Sequence, residues 1–430
     1  MNKELHIKIK EITRVEGHGN IVIDVTKGRI KEIKFEVIES PRFFEVMLRG
    51  RRYDEAQHIM ARICGICAVS HTSASLKAIE DAMGMKISKQ AGLLRKLAFC
   101  GETIQSHILH LYFLVFPDLL GKGSVAPLIE THPELMTAGL AIKRLANEIC
   151  SVVGGRHIHP ISLFPGGVVH TPKPAELKRL KTGLQNSLES LDHTIRFLEK
   201  LQKTPPLEKP REFISLKARG EYPLDEGTPY SSKKYSIKPE AYTKKIKEYI
   251  VPHSTAKHAK SPKGSFMVGA LARLNNNFRL LNPRARKAAK EAGLTPPVYD
   301  PFHNNMAQAV ECVHYTEEAI KLIDRLLSMG LRVEPLKEPR RWGRGVGIVE
   351  APRGTLFHEY HINRDGYIEK AECIIPTNQN LRIIEEDLKA LIPRILDKPK
   401  DQIIKTIETL VRAYDPCISC STHIMDVTFV

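Results

Sequence analysis

Arg62-Ile63-Cys64-Gly65-Ile66-Cys67-Ala68-Val69-Ser70-His71 near the start of the chain and Asp415-Pro416-Cys417-Ile418-Ser419-Cys420-Ser421-Thr422-His423 near its end carry the same device, a Cys-x-x-Cys pair followed by a histidine. Each pair brings two thiolates within reach of one metal, and two pairs make a four-sulfur site. Nearly the whole chain lies between them. If the four sulfurs meet, the fold is wrapped around one metal centre. Zinc accepts four thiolates and so does an iron–sulfur cluster, so the spacing alone leaves both open. Zinc modules, however, keep their pairs close in sequence, and iron–sulfur proteins show tighter runs of cysteine than any here.

The 430 residues are enough for a large core, and 42% hydrophobic residues mark a globular composition. Lys plus Arg is 65 against Asp plus Glu 49, a formal charge of +16. That excess favours acidic partners, but no nucleic-acid motif accompanies it, and a solvated Lys-rich surface accounts for it. Residues Met1 to Lys10 alternate polar and apolar rather than forming a secretory signal. The most apolar stretch, Ile108 to Phe116, is too short to span a bilayer. The expectation is therefore a cytoplasmic protein, no direct membrane span and no nucleic-acid partner. Eight cysteines in such a chain favour metal or redox chemistry over disulfides. Cys100, Cys150, Cys312 and Cys373 stand singly in apolar surroundings and read as core.

Leu5 to Glu11, Asn20 to Val25 and Ile30 to Val37 alternate and predict strands. A helical stretch follows from Tyr53 through Ile79. Ile87 to Phe116 predicts one long helix ended by Pro117-Asp118. Pro133 to Val153, Pro174 to Leu201 and Asn305 to Met329 read as further helices. The stretch 204–264, rich in Pro, Gly, Lys and Tyr, reads as a surface excursion of short strands and loops. Val346 to Ile375 predicts strands with a turn at Asn363-Arg364-Asp365-Gly366. Two helices, Leu381 to Leu391 and Asp401 to Tyr414, lead into the second cysteine pair. The fold class is α+β, a bundle of long helices with small flanking β-sheets, in a single domain over residues 1–430.

Five segments in order resemble one family. Thr13-Arg14-Val15-Glu16-Gly17-His18-Gly19, Pro41-Arg42-Phe43-Phe44-Glu45, the two cysteine segments and Glu350-Ala351-Pro352-Arg353-Gly354 are similar to the signatures of the large subunit of nickel–iron hydrogenases. Val251-Pro252-His253-Ser254-Thr255-Ala256-Lys257-His258 and Phe266-Met267-Val268-Gly269-Ala270 look like the soluble branch, with its sulfhydrogenase, F420-non-reducing and F420-linked enzymes.

The resemblance implies a nickel held by four thiolates, with Cys64 and Cys417 terminal and Cys67 and Cys420 bridging to an iron that carries carbon monoxide and cyanide. It implies reversible heterolytic cleavage of dihydrogen, with a terminal thiolate as base. Glu16 would carry the proton onward from Cys417. Arg353 would present a cationic fork to a cyanide and the substrate pocket, and Thr377 would donate to the second cyanide. His71 would donate to a bridging sulfur. Asp118 and Asp415 would orient Arg353. Glu45 and His423 would hold magnesium or iron at a third site. His107, His110, His157 and His159 read as core or supporting histidines, because the thiolates already supply the site. Gly343-Arg344-Gly345-Val346-Gly347 lacks the setting of a dinucleotide fingerprint, and Lys122 that of a phosphate loop.

With no cysteine run for clusters, electrons need a partner. The family uses an iron–sulfur small subunit, and its soluble branch adds subunits that bind flavin or NAD(P). The family's precursors are also cut after the histidine matching His423, by an endopeptidase working with maturation proteins. Residues Ile424 to Val430 continue past it, so the sequence is either such a precursor with a cleavable tail or a member that is not cut. Two other readings compete. A component of a respiratory complex related to this family would lack the four cysteines. A zinc scaffold would explain the cysteines and none of the other motifs.

Overall fold

The alternation at the start of the chain builds an antiparallel sheet. Leu5–Ile9, Gly19–Thr26 and Arg29–Val37 pair in that order, and the middle strand buries Ile21, Ile23 and Val25 while the intervening residues stay partly exposed. The computed structural model describes residues 5–201 and 204–423. The expected tail, 424–430, lies outside the described residues.

Long helices form the body. Lys89–Leu109 packs on Pro133–Gly154 and on Asn304–Met329, which in turn packs on Pro174–Leu201. The Ser88 hydroxyl accepts from the Ala91 amide at 3.0 Å and caps the first of these. A second antiparallel sheet follows Gly343–Ala351, Gly354–Ile362 and Ile368–Ile374. One continuous apolar core takes residues from Ile7 to Cys420. Helices flanked by small sheets are the architecture expected from the sequence.

Three local readings change. The helical stretch from Tyr53 to Ile79 is broken into Tyr53–Met60, a 3-10 turn Ala61–Ile63 and Ala68–Met83. The gap is the first cysteine pair. Cys64 is extended (φ −149°, ψ 139°), and the Ile66 amide donates to Cys64 Sγ at 3.3 Å instead of to a helical carbonyl. Pro117 does not end the long helix. Lys89–Leu109 runs into a π-helical stretch, His110–Val115, and a short helix, Phe116–Leu119, takes Pro117 into its first turn, where a missing N–H costs little.

The third change concerns 204–264, which is the expected run of short strands and loops but is anchored in the core by its central strand. Glu212–Lys217 is buried along most of its length, pairing in parallel with Phe266–Met267 and antiparallel with Thr228–Ser231. Ile214, Leu216, Tyr242 and Ile246 join Ile348 and Phe357 in a second core. The Pro, Gly and Lys of this stretch mark its turns. Its central strand is buried at five consecutive positions, Glu212 to Leu216, so it is covered on both faces, with the polar Glu212 and Ser215 inside. Helices Ala270–Asn277 and Pro283–Glu291 were not anticipated by periodicity.

The helix Ala68–Met83 is buried almost all round. The strand Gly343–Ala351 lies flat against it, and this is the use of the glycines there. A Cβ at Gly345 would stand 2.1 Å from the Ala78 carbonyl oxygen, and one at Gly347 would stand 2.0 Å from that of Ala74. The close approach aligns the hairpin turn Pro352-Arg353 with the helix that starts at Cys67. Gly347→Ala should therefore destabilise the protein by about 1–3 kcal/mol through overpacking against backbone. A chemical-denaturation midpoint unchanged from the parent chain would contradict this account of the contact.

Candidate metal centre

The two cysteine pairs meet. Cys64 Sγ lies 3.6 Å from Cys417 Sγ, and Cys67 Sγ lies 3.7 Å from Cys420 Sγ. All four sulfurs fall within 4.8 Å of one another, and all four residues are buried. Cys67 is the N-cap of Ala68–Met83, and Cys417 is the N-cap of the short helix Ile418–Ser421. Each pair therefore sits where a chain turns into a helix. Hydrogen bonds from the Cys417, Cys420 and Cys67 thiols hold Cys64 well below the ordinary thiol range, while burial pushes Cys417 and Cys420 well above it. Four buried thiolates this close need a cation among them, so the donor set fits a soft metal.

The N-terminal motif holds the second pair in place. The backbone of Glu16 forms a parallel bridge with Cys417, and the Ile418 amide donates to the Glu16 carbonyl at 2.9 Å. The Glu16 carboxylate accepts from the Ser419 amide at 3.1 Å and from the Ser419 hydroxyl. The same oxygen of Glu16, Oε2, accepts from Cys417 Sγ at 3.1 Å. Gly17 follows at φ +86°, and a Cβ there would stand 2.8 Å from Ile418 Cβ. Only glycine permits that approach.

Arg353 reaches the cluster from the two-residue turn between Gly343–Ala351 and Gly354–Ile362. Its Nε donates to the Asp415 carbonyl at 2.8 Å, and its Nη2 lies 3.0 Å from Asp415 Oδ1. Burial works against the guanidinium charge, but Asp415 and the nearby cysteine sulfurs outweigh it and raise the Arg353 pKa well above its usual value. Nη1 of Arg353 is buried with no partner among the described residues. Arg353, Thr377, His71 and the sulfurs of Cys67, Cys417 and Cys420 line one small cavity. Thr377 Oγ1 accepts from the Cys417 amide at 2.9 Å, which leaves its own hydrogen to donate.

Other expected residues are placed differently. Asp415 meets Arg353, but Asp118 does not. Asp118 binds the guanidinium groups of Arg14 and Arg412, and Arg412 Nη1 donates to the Thr13 carbonyl at 2.5 Å. Asp118 thus ties the N-terminal motif to the helix Lys400–Ala413 that leads into Cys417. Its position one turn past the π-helical stretch carries it away from Arg353. His71 borders the cavity, but the hydrogen bond it makes among the described residues joins its Nδ1 to His358 Nε2 at 3.2 Å rather than to a sulfur. Burial holds His71 at about 4, so the ring is neutral. His107 and His110 are buried, bonded to Glu311 at 2.8 Å and to Gln308 at 2.6 Å. His157 is exposed and His159 partly so, not core.

A second polar cluster lies at the end of the described chain. His423 Nδ1 lies 3.2 Å from Glu45 Oε2, and Glu45 Oε1 accepts from the Cys373 amide at 2.8 Å. Burial pushes the Glu45 carboxyl up, but His423 outweighs it and the net shift is downward. Burial likewise opposes the charge on His423, and Glu45 reverses that. His423 Nε2 and Glu248 Oε1, 3.9 Å apart, are both buried without hydrogen-bond partners among the described residues, which fits a cation between them. Glu248, held at its other oxygen by Lys257 at 3.1 Å, had no motif to mark it. Nor had Arg273, fully buried, which bonds Glu311 and Glu350 and the Ala351 and Pro352 carbonyls and so fixes the turn that carries Arg353.

Sequence comparison agrees with this geometry. The family model described as nickel-dependent hydrogenase matches residues 42–124 and 233–423, and a HoxL-like model matches 6–40. The chain belongs to the nickel-dependent hydrogenase family. It is 34% identical to the alpha subunit of sulfhydrogenase 1 of Pyrococcus furiosus over 99% of both chains. It is 30% identical to the matching subunit of the vhc F420-non-reducing hydrogenase of Methanococcus voltae, over 97% of this chain and 94% of that one. A crystal structure of an NAD+-reducing [NiFe]-hydrogenase in the H2-reduced state superposes with a TM-score of 0.89 at 29% identity, covering 97% of this chain and 99% of that one. The hydrogenase is thus a catalytic large subunit, an oxidoreductase acting on dihydrogen. No helix among its described residues is long and apolar enough to cross a membrane.

The buried charges around this hydrogenase's centre are held in pairs, and Asp118 serves two arginines. Asp118→Asn should cost roughly 3–5 kcal/mol, because Arg14 and Arg412, the latter 1% exposed, lose the buried carboxylate they share and Arg412 keeps only the more exposed Glu408, at 3.2 Å. An unchanged midpoint in denaturant would show that the arginines are stabilised elsewhere.

Proposed function

We propose that this subunit cleaves dihydrogen heterolytically and reversibly, releasing protons through Cys417 and Glu16 and passing electrons to an iron–sulfur small subunit. The observation that carries this reading is the 3.1 Å contact between Cys417 Sγ and Glu16 Oε2 at the edge of a buried four-sulfur cluster. Cys64, Cys67, Cys417 and Cys420 would hold nickel, with Cys67 and Cys420 shared with an iron that carries carbon monoxide and cyanide. Glu45 and His423 would hold magnesium or iron. Bound there, the nickel–iron group supplies the Lewis-acid and redox chemistry that polarises dihydrogen and takes up its electrons.

The chain's own residues handle the proton. A thiolate at Cys417 accepts it and hands it to Glu16 Oε2, which already lies within hydrogen-bond reach. The Ser419 amide holds that carboxylate in one orientation, so transfer needs no rearrangement of the backbone. Arg353 offers its unpartnered Nη1 to the cavity, and Asp415 keeps the fork in place. Thr377 fixes the Cys417 backbone and has a hydroxyl hydrogen left for a cyanide nitrogen. His71, neutral, closes the cavity without adding charge.

Electrons need a way out that this chain does not hold. Cys100, Cys150, Cys312 and Cys373 are buried, and none joins a metal-ligand group among the described residues. An exposed Ile158 lies beside the first cysteine loop, its Cγ2 3.7 Å from where a Gly65 side chain would begin, which supports a partner docking there. The similarity to an NAD+-reducing enzyme supports further subunits that bind flavin or NAD(P). In this reading residues 1–430 form one hydrogenase domain, and maturation proteins load the metals before an endopeptidase removes 424–430. The enzyme works in the cytoplasm, with neither nucleic acid nor a membrane span.

Glu16→Gln keeps an acceptor for the Ser419 amide and removes the carboxylate that takes the proton. In the complex purified without oxygen, dihydrogen oxidation should fall by about 10²-fold or more while nickel per chain stays constant. An undiminished rate with nickel retained would remove Glu16 from the proton path.

A further inference from the structure

A second cluster of metal-ligating side chains lies apart from the sulfurs. The strands Lys247–Tyr249 and His258–Lys260 form an antiparallel hairpin in which His258 faces Tyr249 in register. The loop between them carries His253. The helix Pro376–Leu391 carries Glu385, which also accepts from the Phe35 amide at 3.1 Å. One ligand atom from each of His253, His258 and Glu385 lies within 4.8 Å of the others. His253 Nε2 is 2.8 Å from Glu385 Oε1, and the two imidazole rings are perpendicular, with centroids 5.7 Å apart.

The decisive residue is His258. It is 0% exposed, and neither ring nitrogen has a hydrogen-bond partner among the described residues. Buried polar groups are nearly always satisfied, so an imidazole with two idle nitrogens beside a carboxylate and a second imidazole calls for a missing ligand. We infer that His253, His258 and Glu385 form a binding site for a divalent transition-metal ion of the zinc class, with water completing the coordination. Two imidazoles and one carboxylate suit such an ion, and ligand bonds of about 2.0–2.2 Å require only small side-chain rotations to close the triangle. Burial holds the His258 ring at about 4, so it is neutral with a lone pair to give. Two cations near the cluster are already engaged, Arg382 with Glu386 at 2.9 Å and Lys257 with Glu248 at 3.1 Å, and Lys260 lies over the Tyr249 ring. His253, with 15% of its side chain exposed, provides the path of entry.

The ion's place in the fold assigns it a clamping role. It would bind the hairpin to the helix Pro376–Leu391. The hairpin also carries Glu248 and Lys257 beside His423, and the helix's first turn carries Thr377 and Asn378, which hold the Cys417 amide and the Ser421 carbonyl. The site does not depend on the hydrogenase chemistry, so its test can fail without touching that reading.

The test uses the complex isolated with its nickel centre loaded. It is passed over a chelating resin, dialysed against zinc ion alone, freed of excess and assayed for zinc and nickel per chain. The parent should hold one zinc more than either His258→Phe, which fills the buried space, or His253→Gln, at the half-buried position. Nickel should be equal in all three. Zinc should also raise the thermal midpoint of the parent and leave both variants unmoved. Equal zinc in the parent and both variants, or a midpoint insensitive to zinc in the parent, would overturn the assignment.

Discussion

Everything in this molecule depends on bringing four buried sulfurs, two from each end of the chain, to one point. Thiolates repel one another and are poorly solvated in a core, so nothing intrinsic to the two pairs draws them together. The surrounding chain supplies the force. Glu16, some four hundred residues before Cys417, pairs with it through backbone and side chain at once, and Arg42 donates to the Thr422 carbonyl at 2.8 Å and to those of Ile63 and Ser419. The N-terminal segment therefore grips the C-terminal loop from two sides and sets it against the first pair.

Around the sulfurs the charges are arranged in closed pairs. Arg353 meets Asp415, Arg412 meets Asp118, and Arg273 meets Glu311 and Glu350. Each pair joins segments far apart in sequence, so each acts as a long-range tether as well as a neutralised charge. Glu311 shows the balance. Burial alone would raise its carboxyl, but Arg273 and His107 overcome this and hold it at about 2. Among the buried polar atoms without partners in the described residues, Arg353 Nη1 at the sulfurs and Glu248 Oε1 with His423 Nε2 at the second cluster sit where ligands are expected.

Much of this was legible in the sequence because the chemistry is carried by short segments with fixed spacing. Cys64, Cys67, Cys417 and Cys420 stand in Cys-x-x-Cys pairs, and Glu16, Arg353 and Asp415 flank glycine or proline turns that the fold uses. What was hidden is what only packing decides. Asp118 sits beside a proline that promised a helix end, yet the π-helical stretch before it turns the carboxylate toward Arg14 and Arg412. Arg273 lies in an unremarked helix and matters because it binds carbonyls on both sides of a turn. The strand Glu212–Lys217 is masked by the Pro and Lys of its turns and by its own Glu212, Ser215 and Lys217, so its burial does not show in its residue types. His258 stands in a family-like segment as one histidine among 18, and what sets it apart is its burial with both nitrogens unpartnered among the described residues.

The central claim is that the four sulfurs surround one nickel. Nickel K-edge X-ray absorption on the complex, purified without oxygen, counts the sulfur ligands directly. The account predicts nickel at one per chain in a sulfur-dominated shell that loses sulfur scattering in Cys64→Ser. Nickel bound by nitrogen and oxygen alone, or a centre holding zinc in its place, would contradict it.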